Sequence, residues 1–431
     1  MPETRAPHLL RVLTLFDVVC IGINAVVGSG IFFFPGQLAG FLGPASVASF
    51  GVVGLLLINV GLCYAEASTH FNRTGGGYLY ARAAFGDWVG FAIGWMAWIT
   101  QMFSWAAVAN VIAVYLGFFN PVFEGRLAVK AFAAVVVVGM GALNYRGVKL
   151  GARTSDFFTV AKLVPLGLFV LLGLFFLGDA HFRPFAPHGW RPLGPACFLA
   201  FFAFQGFEYM AVPSGEIDKP ARTIPLALII ALTLTSVLYM AVQAIAVGVD
   251  PALATSARPL ASAAMGMLGW AGAALMVGGA VVSTTGYNSS AALVTPRYLE
   301  ALADDGHLPK GLAAVHPRFE TPYRAILLTT AISLVMALFL DFDKLVDFSN
   351  VVVCAQYVAT CLAVPFLRRR FQHKPGDFRL PGGWTIPLIG VAAVAWLGAQ
   401  GGMSQVWWSL AILAFGLALK AGWRRAAPRF S

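Results

Sequence analysis

The sequence is poor in charge. Only 11% of its 431 residues are Asp, Glu, Lys or Arg, while 59% are hydrophobic, against ~45–50% in soluble domains. That balance excludes a water-soluble fold and points to repeated crossing of a bilayer. Histidine is scarce as well. The seven present fall in loops or near the N-terminus, with no metal cluster and no nucleophile–base pairing, so no metal, no cofactor and no enzymatic activity are expected. The five cysteines (Cys20, Cys63, Cys197, Cys354 and Cys361) all lie in apolar segments without metal-ligand spacing and read as reduced packing residues. No cleavable signal is evident. Arg5, His8 and Arg11 precede a long apolar stretch without a small-residue cleavage site, so that stretch is expected to stay as a helix. Only about ten residues flank the apolar spans at either end, which disfavours a sensor built around a soluble tail.

What is present is apolar sequence in regular portions. Twelve spans are predicted, at roughly 12–41, 45–69, 86–118, 127–144, 155–178, 195–215, 224–249, 268–295, 325–341, 345–367, 386–402 and 404–421. Each approaches or exceeds the ~20 residues that cross hydrocarbon as a helix. Their even spacing predicts one all-α membrane domain. The net charge of +10 could suggest nucleic-acid binding, but its distribution argues against that. With the N-terminus inside, 22 Lys and Arg fall on the inner side and six on the outer, leaving Lys162 alone inside a span. Such a bias places both termini in the cytoplasm. The expected location is a cell membrane, plasma or bacterial inner, with the lipid bilayer as partner and no nucleic acid.

Two spans are interrupted. The first holds Gly28-Ser29-Gly30 in its middle, and each glycine costs a helix ~1 kcal/mol against alanine. A break there exposes backbone groups that hydrocarbon cannot satisfy, so it is tolerated only against protein or a polar cavity. The free N–H groups of the new helix start suit an anion. The carbonyls around Ile23 to Val26 suit a cation, and an amino acid carries both charges. The plainer reading is close helix packing through small residues. The sixth span is interrupted at Gln205-Gly206-Phe207-Glu208 and again at Pro213. Interrupted helices at matching positions of two halves point to an inverted-repeat transporter with a site at the midplane.

Several motifs together resemble a known family. They are Gly28-Ser29-Gly30-Ile31-Phe32, Gly75-Gly76-Gly77-Tyr78-Leu79-Tyr80, Asn144-Tyr145-Arg146-Gly147-Val148-Lys149 and Phe204-Gln205-Gly206-Phe207-Glu208. Further along come Gly215-Glu216 with Arg222-Thr223-Ile224-Pro225, then Asp305-Gly306-His307-Leu308-Pro309, His316-Pro317-Arg318 and Thr321-Pro322. In this order and spacing, over roughly residues 12 to 325, the chain resembles the amino acid–polyamine–organocation (APC) transporters. The resemblance implies twelve transmembrane helices. Two inverted five-helix repeats of the leucine-transporter type (12–178 and 195–367) would be followed by two peripheral helices (386–421), with spans 1 and 6 broken. It implies that Gly28, Ser29 and Gly30 bind a substrate carboxylate. Val26 and the neighbouring carbonyls would take the amine, Phe202, Ala203 and Phe204 would continue the site, and Phe202 would gate it. Core packing is the plainer role for Phe202 and Phe204 in a chain with 35 phenylalanines.

Polar residues inside spans carry the remaining expectations. Lys162 lies about 12 Å from the start of span 5, counted from Ser155 at ~1.5 Å per residue. It either snorkels to the interface or is buried, where a lysine able to shed its proton serves as a coupling group. The resemblance sharpens this reading. A proton-coupled branch of the family has a lysine here, where sodium-coupled relatives of the fold hold sodium, and Ser283 and Thr284 would be neighbouring oxygens. Glu208 is expected to take part in proton movement or gating, or to make a structural hydrogen bond. Gln101 and Gln205 either offer amides to a polar substrate or bond between helices. Asp17 and Glu66 read as helix-end and loop contacts. The resulting expectation is a secondary amino acid transporter working by alternating access, coupled to protons. An obligate amino acid exchanger is the alternative, and a non-transporting amino acid sensor is a further one. The particular amino acid and the oligomeric state, monomer or homodimer, stay open.

Overall fold

A computed structural model describes residues 11–340, 342–372 and 377–426. Arg5, His8, His373, Lys374 and Arg429, counted above among the basic or histidine residues, lie outside them. Fourteen α-helices follow one another: α1 Leu15–Val26, α2 Gly30–Leu42, α3 Val47–Ser68, α4 Gly77–Phe85, α5 Asp87–Leu116, α6 Arg126–Tyr145, α7 Val148–Gly173, α8 Leu193–Phe204, α9 Pro220–Val249, α10 Pro259–Asp304, α11 Tyr323–Phe339, α12 Phe342–Arg370, α13 Thr385–Gly398 and α14 Met403–Ala426. Among the described residues, eight helical stretches are long and apolar enough to cross a membrane. The outer helices expose apolar side chains that water would not tolerate in such number. Examples are Val135 and Val138 on α6, and Trp407, Trp408 and Phe415 on α14. The chain is a multi-pass membrane protein.

The first predicted span is two helices rather than one. Helix α1 starts at a capping box, in which Thr14 Oγ1 accepts from Asp17 N–H and Asp17 Oδ2 accepts from Thr14 N–H at 2.6 Å. It stops after Val26, and α2 begins at Gly30. Twelve residues reach only ~18 Å, about half of a bilayer core. Helix α8 is also twelve residues long and gives way to irregular backbone and 3₁₀ turns through Glu216. The turn is made at Gly206, whose φ of 109° is left-handed. Helix α1 runs buried from Cys20 to Val26 and packs against α7, α9 and α10, while α2 packs against α8. The two interrupted segments therefore sit at the centre, with α6, α13 and α14 outside.

Three expected loops prove partly helical. Residues 77–85 form α4, and α10 absorbs both 259–267 and 296–304. Pro259 stands in the first turn of α10, where its missing N–H costs nothing. A non-helical Gly269 (φ 61°) bends the helix, so the chain enters on a new axis. At the other end Arg297 and Glu300 break the apolar pattern, yet both are buried. Arg297 is held by a bidentate pair with Glu216, at 2.5 and 2.9 Å, and neither residue is exposed. A paired charge can stay in the helix and be covered by protein.

That end of the molecule is tied shut. Val12 and Leu13 donate their backbone N–H groups to Glu216 O, both at 2.9 Å, and Asp218 N–H donates to Leu13 O at 2.9 Å. Beside them Arg73 bridges Asp304 and Asp305, and Arg82 and Tyr78 also reach Asp305. Burial opposes ionisation of Asp305. Hydrogen bonds from Tyr78 and Arg82 and the Arg73 guanidinium outweigh it and hold the carboxyl below its ordinary range. His307 is pushed down to about 4, first by burial and then by Lys420 and Arg82. Its neutral form is therefore the folded form. Its contribution to stability is whole above the unfolded value of ~6.5 and drains away as pH falls toward about 4. Thermal denaturation followed between pH 7 and pH 4 should show a smaller drop in Tm for His307→Gln than for the parent chain. Parallel profiles would exclude His307 as the cause.

Candidate functional site

The break between α1 and α2 frees backbone groups that a continuous helix would pair. Val27 leaves helical geometry (φ −78°, ψ 80°), although its N–H still donates to Ile23 O at 2.8 Å. The first N–H groups of α2, from Ser29 onward, have no helical turn before them. The Ser29 hydroxyl is buried and has no hydrogen-bond partner among the described residues. Gly30 is required because a Cβ there would lie 2.8 Å from the Ala203 Cβ of α8. The two interrupted helices therefore touch at this point. Tyr239 of α9 joins them again, its Oη lying 2.9 Å from Val26 O and 3.0 Å from Ala203 O.

Between the breaks lies a small cavity of about 20 Å³, room for roughly one water. Ala25, Val26, Gly28, Ser29 and Gly30 form one wall, Phe202, Ala203 and Gln205 another, and Ser104, Val108 and Tyr287 close it. No Asp, Glu, Lys or Arg contributes to this lining. Gln205 is fixed from behind. Its Nε2 donates to Asn350 Oδ1, its Oε1 accepts from Ser349 Oγ at 3.1 Å, and Ser349 Oγ lies 2.7 Å from Ser104 Oγ. Phe202 rests edge-on against Phe34, ring centroids 5.8 Å apart.

Lys162 of α7 is completely buried. Its Nζ donates to Val27 O at 2.6 Å and to Asn24 O and Ser283 O, each at 3.2 Å. An ammonium has three protons, and three carbonyls meet them. Two of these carbonyls belong to the end of α1 and its cap, released by the break, and the third belongs to α10. Ser283 Oγ adds contacts to Val27 O at 2.8 Å and Gly28 O at 3.2 Å. The lysine therefore ties α7 to the end of α1 and to α10 at the break.

Val26 lines the cavity, whereas Ile23, Phe204, Thr284, Gln101 and Glu208 do not. The Ile23 carbonyl accepts from Val27 N–H, and the Val26 carbonyl accepts from Gly28 N–H and Tyr239, so both already have partners. Phe204 turns from the cavity toward Phe50 and Tyr239. Thr284 bonds the carbonyls of its own helix, Ala280 and Val281. Gln101 does not line the cavity. Its Nε2 donates to Glu208 Oε1 at 2.9 Å, and its Oε1 accepts from Tyr209. Glu208 also accepts from Gly206 N–H at 3.1 Å and Tyr357 Oη at 2.7 Å. Three donors and no acceptor surround this carboxylate, which thereby braces the second break. Ser104, Val108, Tyr239, Tyr287, Ser349 and Asn350 were not singled out from the sequence.

Gly206 gives the sharpest local test. A Cβ there would approach Ala25 O to 2.7 Å, on a left-handed backbone that costs an ordinary residue ~1–2 kcal/mol. Gly206→Ala should leave the folded yield within a factor of about two and reduce substrate binding by at least ~10-fold, since 1.4 kcal/mol corresponds to a tenfold change. Equilibrium binding to the purified variant checks this. Wild-type affinity would show that the second break is not rigid at this point.

The comparisons with known proteins agree with one another. Residues 13–419 match a family model described as amino acid permease. The chain is 29% identical over 410 residues to the methylthioribose transporter of Bacillus subtilis, covering 91% of this chain and 89% of that one. It is 29% identical over 406 residues to the branched-chain amino acid permease of the same organism, covering 89% and 86%. A serine/threonine exchanger from that organism is 28% identical over 401 residues, covering 90% and 91%.

Proposed function

Because the chain belongs to the amino acid permease family, we propose that it is a proton-coupled importer of compact neutral amino acids that works by alternating access. The substrate carboxylate sits against Gly28, Ser29 and Gly30 and binds the N–H groups of Ser29 and Gly30 and the Ser29 hydroxyl, since the Gly28 N–H is taken by Val26 O, and the substrate side chain faces Gln205, Ser104 and Val108. Neutrality follows from the lining. A charged side chain in this cavity would find no opposite charge and would be costly to bury. The cavity of about 20 Å³ has to widen to admit an amino acid, and Phe202 is the side chain whose rotation opens it.

The twelve spans are α1–α2, α3, α5, α6, α7, the α8 segment, α9, α10, α11, α12, α13 and α14. Residues 12–178 and 195–367 form the two inverted halves, and 386–421 form the periphery. Basic side chains mark the end bearing Arg297 and Glu216 as cytoplasmic.

The observation that carries proton coupling is the three-carbonyl cage around Lys162. A protonated amine meets all three carbonyls. A neutral amine has only two N–H donors and a lone pair with nothing to accept from, so loss of the proton loosens α1 from α7 and α10. Protonation on the outside thus favours the intact site, and deprotonation toward the cytoplasm favours release.

The test is uptake of radiolabelled neutral amino acids into proteoliposomes, without sodium, with and without an inward proton gradient. Accumulation that requires the gradient is the expected result. Uptake that requires amino acid preloaded inside, whatever the gradient, would make the protein an exchanger and leave Lys162 as a fixed structural cation.

A further inference from the structure

A second cavity, of about 530 Å³, opens at the end of the molecule closed by Arg297 and Glu216. It lies within the ~300–1,000 Å³ range of small-molecule sites. Five separate segments line it: Arg11 ahead of α1, Asn72 to Thr74 between α3 and α4, Gly215 after the second break, Glu300 and Asp304 of α10, and Ala313 and Val315 between α10 and α11. Two of its polar side chains are more than nine-tenths buried and incompletely bonded. Glu300 and Thr74 are each 8% exposed, and Glu300 Oε2 and Thr74 Oγ1 have no hydrogen-bond partner among the described residues. A nearly buried carboxylate oxygen without a donor is costly to maintain. Arg73 is occupied by Asp304 and Asp305, and so gives Glu300 no direct partner. Arg11, at the rim, makes a 3.3 Å bond to Asn72 O. The cavity thus offers one carboxylate at depth and one guanidinium at its mouth.

We propose that this cavity is a second amino acid site on the cytoplasmic side, in which Glu300 and Thr74 receive the α-ammonium and Arg11 the α-carboxylate. The inference rests on the transport reading and its orientation, and extends it to regulation. The segments that line the cavity must separate for the cytoplasmic path to open. An amino acid bridging them holds that path shut, so accumulated product slows further import. The site needs only millimolar affinity, because its ligand is the imported pool.

The stoichiometry of binding tests this without requiring flux. The full chain, solubilised, is dialysed to equilibrium against millimolar ¹⁴C-labelled L-serine, L-threonine, L-valine or L-leucine. Two molecules per chain are expected for the best probe, and one for Glu300→Gln and for Arg11→Ala. Arg11→Ala alters an exposed side chain and guards against misfolding of the buried variant. One molecule per chain in all three proteins would overturn the second site and leave the first intact. No binding by the parent chain would overturn the transport reading itself and this inference with it.

In proteoliposomes, millimolar unlabelled probe inside should slow gradient-driven uptake several-fold in the parent chain and less than half as much in either variant. N-acetyl-L-valine and L-valinamide, each lacking one charge, should not slow it. Equal slowing in all three proteins would assign the inhibition to the central site and overturn the proposal.

Discussion

Lys162→Gln is expected to lose gradient-driven accumulation by at least ~10-fold while keeping counterflow exchange. The two outcomes separate because the substitution splits two roles of one side chain. An amide still donates two hydrogens, enough to serve two of the three carbonyls at Val27, Asn24 and Ser283. Glutamine therefore stands for the neutral, two-donor state of the lysine: the chain still folds and exchanges substrate, but no proton can convert it to the three-donor state. Lys162→Ala should be worse in every respect. It removes this donor from three buried carbonyls, of which Val27 O keeps Ser283 Oγ; each group left unmet costs ~1–3 kcal/mol, so both exchange and folded yield should fall. Uptake against an imposed gradient, paired with counterflow, reads the difference. A glutamine variant that accumulates substrate as the parent chain does would remove Lys162 from the coupling step.

The second large effect is expected at the pair between Arg297 and Glu216. Arg297→Met leaves the Glu216 carboxylate buried, with the donors of both its short bonds gone. Breaking a buried pair on one side costs ~3–5 kcal/mol. The same glutamate supplies the carbonyl that receives Val12 and Leu13, so the closure at that end should fail along with local stability. The double variant Glu216→Leu/Arg297→Met has no charge left to strand, and should recover most of the loss in thermal stability. Heating followed by size-exclusion chromatography measures both. Equal losses in the single and double variants would show that the chain depends on the shape of the pair rather than on its charge.

These residues show how far the sequence could be read. The interruption at Gly28-Ser29-Gly30 was visible because glycines in an apolar run contradict helix propensity, and Lys162 because it was the lone cation in a span. Gln101 shows the limit. It and Ser104 lie three residues apart on α5, yet Ser104 lines the cavity and Gln101 bonds Glu208. Which face of a helix meets a cavity depends on the rotation of that helix among its neighbours, and an apolar span has no amphipathic period to report it. Tyr239 and Tyr287 were hidden for a related reason, since buried tyrosines also serve ordinary packing. The far end of α10 was missed because Arg297 and Glu300 resemble a loop until the partner of Arg297, 81 residues away, is known.

The Tyr239 hydroxyl has one proton and two carbonyls to offer it to, one at the end of each interrupted helix. It works as a rivet through two plates. If either segment slid along its axis by one residue, ~1.5 Å, the hydroxyl could no longer reach both, and the tight approach of Gly30 to Ala203 resists the same slip. The segments on either side of the cavity are therefore a single lever. Whatever opens the path must pivot that lever against α5, α7 and α10, and the hinge has to be sought in those surrounding contacts, outside the broken helices.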